Sequence, residues 1–510
     1  MTDTAQNNKR IAKNTLLLYF RMLLTMVVSL YTSRVILKTL GVEDYGIYNV
    51  VGGVVAMFSV ISGSLSAAIS RFLTYELGKG DKEALKHIFS SAVTIQFTLG
   101  LIILILAEAL GTWFLNEKMN IHESRMYAAN WVFQLSIITF IVNLVSIPYN
   151  AAIIAHERMS AFAYISILEA STKLLIVYML LISPIDRLIF YAILMAFVAL
   201  IIRIVYGYYC KHHFEECTYQ FIFDKDLLKR MFGFAGWNFI GASSAILRDQ
   251  GGNIIINLYC GPAVNAARGI AYQVNTAVQG FVTNFMTALN PQITKSFASG
   301  DREYMKVLMF QGSRLSFYML LLLSAPIMLN THYILVLWLK LVPEHTVGFV
   351  RLVLAFAMSE SISSPIVTGM LATGKIKRYQ MVVGFLQMMN LPISYIFMLN
   401  GFAPEIVFVI AIIISQLCLI ARLCMAHYAL GISLMHFFNQ VYLNVIAVTC
   451  ISIIIPTIIV FILQESFYSF VLSSLISVIC TLLTIYFIGC NKKERMFING
   501  KISTYYHKII

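Results

Sequence analysis

Apolar runs of about 20 residues, the length a helix needs to cross a bilayer, follow one another along nearly the whole chain and constrain its fold more than any single motif. About fourteen can be placed, near residues 14–40, 46–74, 86–115, 127–152, 160–183, 187–210, 228–258, 265–294, 304–330, 346–372, 378–400, 404–427, 437–463 and 467–489. Short turns with Gly, Pro or Asn are expected between them, as at Ser183-Pro184-Ile185-Asp186, Cys260-Gly261-Pro262 and Asn400-Gly401-Phe402-Ala403-Pro404. Only 12% of residues are charged and 59% are hydrophobic, against roughly 25% charged in soluble domains. The expected class is an all-α polytopic membrane protein. The first run is too long for a signal-peptide core and lacks a small-residue cleavage site, so it is expected to stay as a spanning helix.

A formal net charge of +13 over 510 residues could suit nucleic acid, but the basic residues are spread over many short loops. With the N-terminus in the cytoplasm, about 23 Lys and Arg fall in cytoplasmic loops and tails against about five outside, a strong positive-inside bias. Both termini are therefore expected to be cytoplasmic, with the bilayer and not nucleic acid as partner. The eight cysteines form no CxxC pair and are read as unpaired structural thiols. Neither HExxH nor a Walker A motif occurs, so no metal, cofactor or ATP hydrolysis is expected.

The chain also repeats itself. Gly41 and Gly261, Asp81 and Asp301, and Lys86 and Lys306 are each 220 positions apart; Pro148 and Pro365, and Ala155 and Ala372, are each 217 apart. The most hydrophilic interruption, 211–229, follows the sixth run, so the second copy enters the membrane in the same direction as the first. The expected organisation is an N-lobe over 1–210, a linker over 211–226, a C-lobe over 227–427, and two further spans with a basic tail over 428–510.

The eighth run carries a stripe at helical spacing: Arg268, Tyr272, Asn275, Gln279, Thr283, Met286 and Asn290. The matching face of the second run is Tyr48, Gly52, Val55, Ser59, Gly63, Ser66 and Ser70. If the lobes face each other, these stripes would wall one water-filled cavity; the competing reading is close helix packing with amides as glue. Arg21 and Arg34 in the first run and Arg248 in the seventh add buried positive charge, which marks either a pathway or snorkelling at a helix end. Several arginines with few unpaired acids suit an anionic cargo such as pyrophosphate, because a guanidinium fork matches phosphate oxygens two at a time. Glu360, the most isolated mid-span acid, and Asp249, beside Arg248, are the candidates for ion coupling. Glu169 and Lys173 are one helical turn apart and read as a self-neutralising pair. Arg203, Arg314, Arg351 and Arg422 read as interfacial anchors.

The segments Asn14-Thr15-Leu16-Leu17-Leu18-Tyr19, Ser33-Arg34-Val35 and Leu40-Gly41-Val42-Glu43-Asp44-Tyr45-Gly46 resemble the start of bacterial polysaccharide exporters of the Wzx O-antigen flippase type. The turn Gly80-Asp81, the segment Ala155-His156-Glu157-Arg158 and the turn Ala372-Thr373-Gly374-Lys375 are consistent with it. That family shares a superfamily with the MATE drug exporters and the MurJ lipid II flippase. The resemblance implies two six-helix lobes plus two C-terminal helices, and a cationic cavity open to each side in turn. Its cargo would be an undecaprenyl-pyrophosphate-linked oligosaccharide, moved from the cytoplasmic to the periplasmic leaflet of the inner membrane. Arg21, Arg34, Arg248 and Arg268 would contact the pyrophosphate, and Tyr272, Asn275 and Gln279 the sugar; other polysaccharide assembly proteins are possible partners. The rivals are a MATE-like or lipid II exporter and a membrane polysaccharide polymerase, which would be expected to carry a sizeable external loop with catalytic groups. The longest such loop, 330–347, is mostly apolar, so no catalytic residue is expected.

Overall fold

A computed structural model describes the backbone of residues 2–56, 59–117, 121, 123–220, 224–339, 342–492, 494–496 and 499. Within these, the side chains of 2–9, 30, 33–34, 37–38, 41–43, 45–46, 49–56, 59–62, 114, 250, 257, 261–263, 265–266 and 339 lie outside the description. The described chain is helical: α1 (Thr2–Ala56), α2 (Ser59–Lys79), α3 (Lys82–Glu117), α4 (Glu123–Ala155), α5 (Met159–Ile182), α6 (Arg187–His213), α7 (Lys225–Ala298), α8 (Arg302–Leu329), α9 (Thr346–Ala372), α10 (Lys377–Leu399), α11 (Ile406–Leu430), α12 (Leu434–Ile462) and α13 (Phe467–Gly489). Eleven helical segments among the described residues are long and apolar enough to cross a membrane. The expected fourteen are not reached: the runs 46–74, 228–258 and 265–294 fall on α1, α2 and α7, where Arg, Asn, Gln and Gly dilute the apolar character and part of the second run lies outside the description.

The repeat has a structural signature. Gly80 (φ +78°) and Gly300 (φ +84°) both end a helix in the left-handed conformation that a glycine adopts without penalty. In each copy the next residue caps the following helix: Asp81 accepts from the Ala84 N–H at 3.0 Å, and Asp301 from the Tyr304 N–H at 3.1 Å. Pro148 and Pro365 lie inside α4 and α9. Beyond them, Glu157 (φ +58°) and Gly374 (φ +73°), again 217 positions apart, are both left-handed. A side chain in that conformation costs about 1 kcal/mol, and the first copy carries one where the second has none.

The turn expected at Gly261, and its repeat position Gly41, take another form. Helical backbone runs unbroken through both positions, yet the chain reverses. Within α7, Nη2 of Arg268 donates to the carbonyl of Asp249 at 2.5 Å across 19 positions, where a straight helix would hold them about 28 Å apart. In α1 and α2, Arg10 pairs with Glu157 at 2.9 Å, and Gly78 lies against the backbone of Lys295, which also pairs with Glu157. Asp44, 34 positions from both Arg10 and Gly78, is held instead by Arg125 at the other end of α4. The chain therefore runs out to Asp44 and back.

By compactness the chain divides into Met1–Ala242 with Thr294–Gly300, and Ser243–Ile293 with Asp301–Ile510. The first unit has an apolar cluster in which Phe133, Val132 and Ile137 of α4 meet Leu115 of α3 and Leu188 of α6. Above it Arg125 binds two carboxylates, donating to Asp44 at 2.5 and 2.8 Å and to Asp186 at 2.6 Å. Burial alone would raise the Asp186 carboxyl; hydrogen bonds from Arg125 and from the Ile189 and Leu188 N–H groups outweigh it and hold it below the ordinary carboxylate range. Such a group stabilises above its unfolded pKa and loses that contribution as pH falls through its folded value. Replacing Arg125 with Ala leaves both acids facing each other and is expected to cost about 2 kcal/mol, discounted for partial exposure. Thermal unfolding in detergent checks this, and Arg125→Lys should recover part of the loss.

In the second unit α9 packs against α8 and α11, and α12 and α13 pack on each other and on α8. Arg314 of α8, expected as an interfacial anchor, is 6% exposed instead. Its guanidinium donates to Glu494 at 2.7 Å and to the Gly489 carbonyl at 3.2 Å, fastening the C-terminal tail to α8. The eight cysteines are free, and the Glu169–Lys173 pair forms at 2.6 Å as spacing requires.

Candidate functional site

A cavity of about 290 Å³ lies inside the second unit. The reversal within α7 brings Arg248 and Asp249 on its first limb beside Tyr272, Asn275 and Gln279 on its second; Glu360, Ser361, Ser363 and Ser364 of α9 and Arg422 of α11 add to the polar wall. Tyr272, Asn275 and Gln279 share this wall because steps of three and four keep residues on one helical face. The stripe expected from sequence is thus a wall over these three positions. Farther along, Asn290 accepts from Thr368 at 2.7 Å and Met286 is buried near Ser316, so there the stripe serves packing.

Arg268 stands behind the wall. It is 8% exposed, stacks on the Tyr272 ring at 4.3 Å and ties the two limbs together through the Asp249 carbonyl. Arg248 lies over the Phe356 ring at 4.8 Å and donates to Asp249 at 2.9 Å. Arg422, expected as an interfacial anchor, is 4% exposed and lines the cavity, with Nη1 at 3.7 Å from Oε1 of Glu360. The expectation failed because α11 continues to Leu430, three residues past the predicted end, which carries Arg422 deeper. The same contact ends the isolation expected of Glu360. Two guanidinia and two carboxylates share the cavity, so its formal charges balance where the resemblance implied a cationic lining.

Arg21 belongs to the first unit. Its guanidinium lies over the Phe162 ring at 4.6 Å and donates to Ser166 at 3.5 Å, both on α5. The side chain of Arg34 lies outside the described residues, as do those of Gly52, Val55 and Ser59 on the second-run stripe. The resemblance motifs acquire local roles: Asp44 is the bidentate partner of Arg125, and Glu157 gathers Arg10 and Lys295.

A family model described as "Polysaccharide biosynthesis protein" matches residues 10–297, more than half of the chain. The chain belongs to the polysaccharide biosynthesis protein family. A curated relative from Bacillus subtilis (strain 168), "Uncharacterized membrane protein EpsK", is 23% identical over 286 residues, which are 55% of this chain and 56% of that protein. The chain thus matches that relative over little more than half its length. Among solved structures, a multidrug resistance MATE family transporter of the MOP superfamily in an outward-facing conformation is similar with TM-score 0.71 at 13% identity, covering 83% of this chain and 96% of that one. A MATE in the bent conformation gives TM-score 0.73 at 12% identity, covering 84% and 97%. A MOP superfamily transporter from Pyrococcus furiosus gives TM-score 0.70 at 13% identity, covering 84% and 97%. At these identities the likeness carries the fold: this family member is a multi-pass helical membrane protein with a MATE-like architecture.

Proposed function

We propose that this member of the polysaccharide biosynthesis protein family is a flippase. It moves an undecaprenyl-pyrophosphate-linked oligosaccharide from the cytoplasmic to the periplasmic leaflet of a bacterial inner membrane by alternating access, without catalysing a reaction, and both its termini are cytoplasmic. The repeat is read as two six-helix lobes, 1–210 and 227–427, joined by 211–226 and followed by 428–510. The observation that carries the reading is the cavity itself, which sets guanidinia beside amides and a tyrosine in a membrane-embedded helical unit. Guanidinia suit phosphate oxygens, while amides and an aromatic face suit sugar. The guanidinia that line the cavity are proposed to act on the pyrophosphate, with Arg268 holding the wall behind them, and Tyr272, Asn275 and Gln279 on the sugar. Loss of the protein is expected to deplete surface glycan while the lipid-linked intermediate accumulates on the cytoplasmic side; normal glycan would overturn the reading.

The two acids in the cavity, together with the MATE-like fold, favour a second reading as an exporter of organic cations. Loss of the protein would then raise drug susceptibility and leave glycan intact. Either way, Asp249 and Glu360 are the proposed ion-coupling groups, since a buried carboxylate can bind a cation or a proton. Glu360→Gln is expected to make export insensitive to collapse of the coupling gradient. Export by this variant that still falls with the gradient would remove Glu360 from the coupling role.

A further inference from the structure

The two ion pairs in the cavity are not alike. Arg248 makes a hydrogen bond of 2.9 Å to Asp249 on its own helix, whereas Arg422 stands 3.7 Å from Glu360, beyond hydrogen-bond reach. Nε and Nη1 of Arg422 and Oε1 of Glu360 are buried with no hydrogen-bond partner among the described residues. Removing a guanidinium and a carboxylate from water costs several kcal/mol per ion, and an attraction without hydrogen bonds repays only part of it. A ligand oxygen able to accept from Nε and Nη1 would repay more. Tyr379 of α10 is hydrogen-bonded to the Arg422 guanidinium, and the other groups within electrostatic reach of the pair are Arg248 and Asp249 of α7 and Cys418 of α11. Among these, Arg248 is the one other cation, and Asp249 already holds it.

We infer that Arg422 is the anion-binding residue of this cavity and that Glu360 is its internal competitor, occupying the guanidinium until a phosphate-type oxygen of the cargo displaces it. The inference rests on the flippase reading and names the group that takes its pyrophosphate. Neutralising Glu360 with a proton or a cation releases Arg422, so ion binding at Glu360 and anion binding at Arg422 favour each other. Arg248, held by Asp249, then serves mainly to set the field of the site.

The test is binding of inorganic pyrophosphate to the purified full-length protein in lipid nanodiscs. Glu360→Gln, which keeps shape and removes charge, should tighten binding about tenfold, equivalent to ~1.4 kcal/mol. Arg422→Gln should weaken it by a similar factor or more, and Arg422→Lys by less. In the double variant the Gln at 360 should no longer tighten binding, because the guanidinium it would release is gone. Unchanged or weaker binding in Glu360→Gln overturns the inference, as does a folded Arg422→Gln protein that binds like the parent. Should Arg422→Gln not fold, Arg422→Lys decides, since binding equal to the parent's would exclude a fork-specific contact. Glycan export in cells lacking the protein separates the two readings. Intact export with the predicted binding pattern leaves an anion site but no flippase, whereas lost export without that pattern overturns this inference alone.

Discussion

Arg268→Ala is expected to abolish glycan export and to lower stability by about 3 kcal/mol. One side chain closes the reversal of α7: its Nη2 holds the Asp249 carbonyl at 2.5 Å and its plane supports Tyr272 at 4.3 Å. A hydrogen bond from a charged donor is worth about 1.5–3 kcal/mol, and a desolvated cation over an aromatic face about 1–2 kcal/mol. Removing both frees the two limbs that bring Arg248 and Asp249 to Tyr272, Asn275 and Gln279. Arg268→Lys keeps the charge but has no planar group to stack, so intermediate stability and export are expected. Thermal unfolding in detergent, together with surface glycan, measures both effects. A folded Arg268→Ala protein that exports normally would show that the cavity survives without this tie.

The second large effect is expected at Glu157. Its side chain is 1% exposed, takes Arg10 at 2.9 Å and Lys295 at 2.7 Å, and its own carbonyl accepts from Asn14 at 3.3 Å. Glu157→Ala keeps the left-handed backbone and leaves Lys295 partly buried without its carboxylate, at a cost of about 3 kcal/mol. Glu157→Gly loses the same charge but relieves about 1 kcal/mol of backbone strain, so it should be the milder change. Adding Lys295→Ala to Glu157→Ala should cost far less than Lys295→Ala does in the parent, as expected for a coupled pair. Equal losses for Ala and Gly would show that the conformation, +58° in φ, is not strained.

Much of this architecture was legible before any coordinates. Run length identifies eleven of the fourteen expected spans, and the spacing of glycine, aspartate and proline identifies the repeat, because these residues act through their own backbone and nearest N–H groups. Gly80 with Asp81 and Gly300 with Asp301 make the same turn for that reason. The ion pair of Glu169 with Lys173, and the shared wall of Tyr272, Asn275 and Gln279, follow equally from helical geometry.

The pairings across the fold were not legible. Arg125 finds Asp44 from 81 positions away, and Arg314 finds Glu494 from 180; Arg422 turns to Glu360 and the cavity where its place in the sequence suggested the membrane surface. In a soluble helix one apolar stripe points to the core and so announces its neighbours. A membrane helix is apolar on the lipid side as well as the packed side, and hydropathy therefore leaves open which face meets which helix. Local spacing thus determined most of the helices, the repeated glycine–aspartate turn and the wall of Tyr272, Asn275 and Gln279 by itself. Tertiary packing alone chose the partner of each buried charge, because a charge in that environment must be matched by whichever element its helix is pressed against.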